Sequence, residues 1–403
     1  MTTGAPDRDD DVAAVLGEDL DRIRETLSAL ETRFATSAAV AEPDHRVGLM
    51  EESGPGELDV LARARQLQRA LFQAGLAWPQ GPVEFGGGGR SKEWSLALDR
   101  VLDEYDLPSR AQLLVGLHIV APAIASHGSA DIQRRYLPAL FRGEVVGCQL
   151  FSEPSSGSDL ASARTSARRD GDDWIVSGQK VWTSGGHIAD IGELLARTDP
   201  LAGKHAGLSM FVVGMKTPGV TVRPLRQMTG GAAFSEVFLD DVRVPDANRI
   251  GEFGAGWSVA RTSLSSEREA MMSGLGPLSP HILSRLHALV ASGDRCSDPV
   301  IAQQVAQVTA NVLAGHALAA RKPADWGRLG NVAGSVSKLL LVETVDLIGH
   351  LIADLCGPRV FLDEDETFLW SEFVLGAPSL HIAGGTDEIQ RNVIAQRGLG
   401  LPR

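Results

Sequence analysis

Phe151-Ser152-Glu153-Pro154-Ser155-Ser156-Gly157-Ser158-Asp159 is the stretch on which the reading of this chain turns. It gathers hydroxyls, a glycine and turn-forming backbone where helical periodicity stops and β-branched segments begin. Such a loop can aim N–H and O–H groups at a polar heterocycle or a phosphate, and on composition alone it is also a plain Ser-rich turn. About thirty residues on, Lys180-Val181-Trp182-Thr183-Ser184-Gly185-Gly186 sets an indole beside a hydroxyl. That pairing suits a flat ring system, with a strand-end Trp in a core as the plainer alternative. Between and after these motifs, segments 173–176, 208–213, 220–222 and 236–239 are β-branched or aromatic and bounded by turn residues.

Outward from this middle zone the pattern is helical on both sides. Apolar residues recur at helical spacing over 13–34, 57–75, 93–105, 112–127 and 130–142, and again over 256–273, 278–291, 299–320, 331–355 and 386–397. Ser91, after the glycine run 86–89, is placed to cap the helix that follows it. The order helices, strands, helices lacks the alternation of a doubly wound sheet. It predicts an α+β protein with an N-terminal helical domain (1–146), a middle antiparallel β-domain (147–250) and a C-terminal helical bundle (251–403).

The 403 residues are 43% hydrophobic but only 5% aromatic, which favours packed helices. The net charge of −13 argues against a nucleic-acid binder and against docking on an anionic membrane. Cys148, Cys296 and Cys356 form no metal-binding or CxxC spacing and are expected as thiols in a reducing compartment. With no apolar run long enough to cross a bilayer and an acidic N-terminus unlike a signal peptide, a soluble, cytoplasmic protein is expected.

Two glycine-rich places remain. Gly86 to Gly89 follows no strand and lies in neither GxGxxG nor GxxxxGK[ST], so a loop between helices is the better reading. In Ile382-Ala383-Gly384-Gly385-Thr386-Asp387-Glu388-Ile389-Gln390-Arg391-Asn392, Thr386 is a plausible N-cap. Either this is a well-capped helix start, or a helix N-terminus facing a phosphate, against which the acidic first turn weighs.

Taken in order, these segments resemble the acyl-CoA dehydrogenase family over residues 70 to 400. The match includes Glu84-Phe85-Gly86-Gly87, His127-Gly128, Arg135-Tyr136-Leu137-Pro138, Ser152-Glu153-Pro154 with Gly157-Ser158-Asp159, and Gly178-Gln179-Lys180 with Trp182 and Ser184. It continues through Val242-Arg243-Val244-Pro245, Glu267-Arg268 and Gly385-Thr386 with Ile389-Gln390-Arg391. The resemblance implies FAD between the β-domain and the C-terminal bundle, usually across a subunit contact in a tetramer. It implies an acyl-CoA substrate and an electron-transferring flavoprotein as acceptor. By position, Phe151 and Ser152 meet the pyrimidine edge of the flavin, Trp182 flanks the ring and Ser184 bonds near N5. Ser158 lies near the CoA portion or the flavin, and Thr386 and Glu388 approach the adenosine half. The implied reaction is α,β-dehydrogenation of a thioester, with a carboxylate as base and hydrogen-bond donors polarising the carbonyl.

Three departures from the common family pattern matter. Most members carry the catalytic Glu just before the Gly-Thr pair of the C-terminal loop, where this chain has Gly384. A minority, similar to isovaleryl-CoA dehydrogenase, carry it on a C-terminal-domain helix before an Arg, which assigns Glu267 as base, with Arg268 beside it. Gly384 retains the backbone N–H that polarises the thioester, and its missing side chain leaves room for a branched or bulky acyl group. The Arg-to-Phe spacing that reaches a neighbour's FAD is replaced by Gly293-Asp294-Arg295-Cys296, so Arg295 is the substitute. The usual Gln and Gly-Gly pair is also altered around Asp354 to Pro358. Similar losses occur in actinobacterial relatives that pair two different subunits and act on sterol side chains. Homotetramer and heterotetramer both stand. So do two other readings: a non-catalytic or FAD-sharing subunit, and a flavin oxidase or monooxygenase on the same fold. No metal site is expected.

Overall fold

The computed structural model describes residues 8–35, 56–273, 280–292, 295, 297–319, 321, 323–362 and 367–402. The N-terminal third holds α1 (Arg8–Leu16), α2 (Asp19–Ala35), α3 (Glu57–Gln73), α4 (Lys92–Leu102), α5 (Ala121–His127) and α6 (Ala130–Phe141). The single helix expected over 13–34 is two, because Gly17 takes a left-handed φ of 54° that ends α1. Ser91 caps α4 as expected, accepting from Trp94 N–H. The helix expected over 112–127 is not regular. A π-helical turn, Gly116–Val120, precedes α5, whose second residue, Pro122, has no N–H to return to the preceding turn. The N-terminal third has two packing centres, which share α3. Leu67 and Leu71 pack with Ile23, Leu27 and Leu98, while Leu61 and Ala64 join the larger core that reaches into the sheet.

The sheet has eight strands: β1 (Gly147–Leu150), β2 (Ser166–Asp170), β3 (Asp173–Ser184), β4 (Ile191–Arg197), β5 (Leu208–Gly214), β6 (Val220–Leu225), β7 (Phe234–Pro245) and β8 (Arg249–Ile250). Its order is β6-β7-β3-β2-β4-β5-β8, with β1 on β4. Most pairs are antiparallel, as expected. However, β1 runs parallel to β4, and β2 meets β4 in parallel at Ser166 and Arg197, so the sheet is mixed. β4 and β5 are buried on both faces, which erases the alternation by which a sequence announces a strand.

Where the chain enters the sheet, two glycines meet. A Cβ on Gly116 would stand 2.9 Å from the N of Gly147, and one on Gly147 would stand 2.9 Å from the Cα of Gly116. Only bare backbone lets the π-turn lie against the start of β1. That contact fixes where β1 and the loop after it point.

The C-terminal half contains α7 (Gly256–Ser273), α8 (Pro280–Ser292), α9 (Pro299–Ala319), α10 (Ala333–Cys356), α11 (Thr367–Leu380) and α12 (Asp387–Val393). α7 belongs to the sheet's core through Val259 and Ala260. Helices α8 to α11 form a separate core around Val308, Leu341, Ile348 and Phe373. α11 escapes the periodicity reading because its sequence, TFLWSEFVLGAPSL, is apolar on most of its circumference. Among the described residues no helix is long and apolar enough to cross a membrane. Cys148 and Cys356 are buried free thiols, and Cys296 lies outside the described residues.

Candidate active site

The loop after β1 is held by β3. Lys180, fully buried, donates from Nζ to the Phe151 carbonyl and to Glu153, both at 2.9 Å. Glu153 also accepts from the N–H groups of Arg164 (2.7 Å) and Thr165 (2.8 Å). Val181 N–H reaches the Ser152 carbonyl at 2.9 Å. Burial pushes Lys180 down to about 8, against the pull of Glu153. Burial likewise works against the Glu153 carboxylate, but Lys180 and the two N–H groups outweigh it and hold its pKa below the ordinary value. Both directions leave a charged pair at neutral pH.

The next residue of β3 is Trp182. Its backbone takes φ 60° at a register shift between Lys180 and Thr183, and its indole is 61% exposed. It meets Phe234 edge to face at 5.9 Å. A bulky residue in left-handed backbone is strained, and an indole left this exposed buries little within this chain. Ser184, half-buried, ends the strand. Phe151, Ser152, Trp182 and Ser184 thus stand around one loop-and-strand junction. Thr183 Oγ1 and Ser235 Oγ, at paired positions in β3 and β7, are buried without hydrogen-bond partners. Ser158 sits exposed at the loop's tip, beside an Asp159–Lys204 ion pair of 2.6 Å.

Glu267 lies half-buried on α7. Burial raises its pKa above the ordinary value, although Arg268, the backbone N–H of Gly384 and the side-chain amide of Gln149 all favour the charged form. The Arg268 guanidinium is weakened by burial and supported by Glu267. The Gly384 N–H, expected at a thioester carbonyl, meets the proposed base itself.

A clamp holds that N–H in place. Lys338, buried on α10, donates to Asp387 at 2.6 Å and to the His381 carbonyl at 3.3 Å. The His381 ring bridges Asp387 (2.7 Å) and Asp346 (3.0 Å). Gln390 donates to the carbonyls of Gly384 and Gly385, whose φ values of 66° and 92° suit glycine. Thr386 caps α12, accepting from Ile389 N–H, and Glu388 is exposed beside it. Arg295 is engaged within the C-terminal bundle, by Asp298 at 2.7 Å and the Asp354 carbonyl at 3.0 Å. None of its contacts among the described residues is with the Trp182 junction or the Glu267 cluster.

The structure adds residues that the sequence reading left out. Gln149 and Glu193, at paired positions of β1 and β4, and Ser263, one turn before Glu267, surround the base. A lone carboxylate inside the apolar run Ile191–Arg197 was the available signal.

Known proteins resemble this chain over nearly its whole length. Residues 51–144, 148–242 and 254–399 match the acyl-CoA dehydrogenase N-terminal, middle and C-terminal domains. Acyl-CoA dehydrogenase FadE34 of Mycobacterium tuberculosis is 37% identical over 362 residues, covering 88% of this chain and 49% of its own length. The chain therefore spans about half of that relative. Acyl-CoA dehydrogenase IpdE1 of the same organism is 36% identical over 354 residues, 87% of this chain and 91% of its own. A solved structure titled Tcur3481-Tcur3483 steroid ACAD superposes with a TM-score of 0.77 at 25% identity, covering 95% of this chain and 98% of that one.

Proposed function

The chain belongs to the acyl-CoA dehydrogenase family of oxidoreductases, and from that premise we propose that it dehydrogenates an acyl-CoA thioester, with Glu267 removing the α proton and FAD as the group that would accept the β hydride. The observation that carries this reading is the Glu267 cluster. A carboxyl on α7, raised by burial, faces Arg268 and the Gly384 N–H, and the loop that could have held another base has glycine there. A base gains from proton affinity above that of an ordinary carboxylate, and burial raises it here, while Arg268 supports the charged form.

The residues present fit a flavin. Trp182 spends backbone strain on an indole left open, and unpartnered hydroxyls of Thr183 and Ser235 lie at the same junction. Phe151, Ser152, Trp182 and Ser184 would hold the ring, and Thr386 and Glu388 would approach the adenosine half. When bound, the flavin supplies the hydride acceptor. The chain's own residues do the rest. Lys180 and Glu153 fix the loop carrying Phe151 and Ser152. A thioester carbonyl would take over the Gly384 N–H, and Ser158 would stand near the CoA portion.

Glycine at 384 leaves space for a branched or bulky acyl group, and the similarity to a steroid acyl-CoA dehydrogenase favours a steroid-derived thioester. Arg295 engaged inside its own bundle favours a tetramer with a second kind of subunit over a homotetramer. Electrons would pass to an electron-transferring flavoprotein. The test is the visible spectrum of the protein purified alone, then mixed anaerobically with linear, branched and steroid acyl-CoAs. A yellow protein bleached by the steroid thioester supports the reading. Bleaching by linear chains alone overturns the substrate class, and a yellow protein bleached by none overturns the reaction. A colourless protein supports the tetramer with a second kind of subunit over a self-sufficient homotetramer.

A further inference from the structure

Behind Glu267 lies a second carboxyl that the proposed reaction does not use. Glu193, in the middle of β4, is fully buried. Pairing sets it opposite Gln149 of β1 and Val212 of β5. Its Oε1 accepts from Ser263 Oγ at 2.7 Å, and Ser263 precedes Glu267 by one turn on the same face of α7. Its Oε2 has no partner. A side chain with no exposed surface cannot touch substrate, so this carboxyl acts through Glu267 or not at all.

We propose that Glu193 is a positioning residue for the base: it shares a single proton with Glu267 and keeps it, so that at neutral pH the one negative charge of the pair rests on Glu267. Two carboxylates in one low-dielectric site cannot both ionise cheaply, and the better-solvated member gives up its proton first. Glu267 is half-buried with Arg268 and the Gly384 N–H to stabilise charge, whereas Glu193 has one hydroxyl. Burial pushes Glu193 up to about 8; the Ser263 hydrogen bond opposes this and the Glu267 charge adds to it.

The titratable groups facing it are few. α7 brings Glu267 with Arg268 beside it. β1 brings the Gln149 amide, its Cys148 thiol packing instead against Met215. β5 (LSMFVVG) has no titratable residue, and β2 touches β4 only at Arg197, whose guanidinium is turned to the carbonyls of Ala161 and Ala163. Above about pH 8 Glu193 releases its proton to solvent. The new charge behind Glu267 raises that residue's proton affinity, and proton abstraction speeds up rather than slows.

The kinetic part rests on Glu267 being the base; the spectroscopic part does not. Infrared titration of the flavin-loaded protein should show a protonated-carboxyl carbonyl band at pH 7 that disappears as pH rises through about 8. The band should be missing in Glu193→Gln, and its midpoint should move up in Ser263→Ala. Single-turnover flavin reduction should quicken by roughly three- to tenfold across the same pH range in the native protein and stay flat in Glu193→Gln. A native protein without the band at pH 7, or a band that survives in Glu193→Gln, overturns the proposal. Superimposable pH–rate profiles overturn it too. If no acyl-CoA reduces the flavin, the reaction assignment falls while the infrared result still decides Glu193.

Discussion

Burial disfavours a charge on Glu267, the proposed base, while Arg268, the Gly384 N–H and the Gln149 amide support one. Glu267→Gln keeps the shape and removes the proton affinity. Turnover is expected to fall by about 10²- to 10⁴-fold, as for other general bases, with the flavin still bound. Stopped-flow bleaching checks it, and near-native rates would end the assignment. The sequence put Glu267 forward as the proposed base because a Glu-Arg pair stands at one family position and glycine at the other. Its setting was not, since Gln149 and Glu193 are polar residues in strands whose neighbours are apolar, and nothing local says which way they face. Arg295 was chosen by its place in a motif, and within this chain it is bound to Asp298 and Asp354, contacts the motif did not announce.

Elements act by holding loops. The β3 residue Lys180 pins the loop after β1, and both members of its pair with Glu153 are buried. Lys180→Met leaves Glu153 charged and unpaired inside the protein, a loss of about 3–5 kcal/mol. A lowered denaturation midpoint and lost protection of the Arg164 and Thr165 amides from hydrogen exchange should follow. The second clamp depends on pH. Its two aspartates, chiefly Asp346, raise the pKa of His381 above 6.5 even though burial works the other way. The His⁺ contribution is therefore complete below the ordinary value and fades as pH rises through the raised one. Exchange of the Gly384 and Gly385 amides, corrected for intrinsic rate, should quicken above neutral pH in the native protein and show no such step in His381→Gln. The motif reading found the Thr386 cap but not this clamp, because Lys338, Asp346 and His381 come from α10 and the loop before α12.

At the scale of the whole molecule, one core joins α3, α5, α6, the sheet and α7, while α8 to α11 pack around another. Large apolar side chains stay exposed on the C-terminal half, among them Phe361, Ile382, Leu399 and Leu401. With Trp182 open as well, the single chain leaves surface for other copies or a partner. Native mass spectrometry should find assemblies larger than the 42.8 kDa chain. A stable, flavin-loaded monomer would contradict the tetramer proposal.

The order helices, strands, helices, the capped starts at Ser91 and Thr386 and the family were all determined by the sequence, because each rests on local spacing or a short motif. Four things were decided only by the tertiary structure. These are the parallel seat of β1 on β4, the π-turn lying on Gly147, the engagement of Arg295, and the buried company of Gln149, Glu193 and Ser263 around Glu267. The physical reason is common to all four. Burial and desolvation depend on groups brought together from distant parts of the chain, and such contacts leave no period in the sequence.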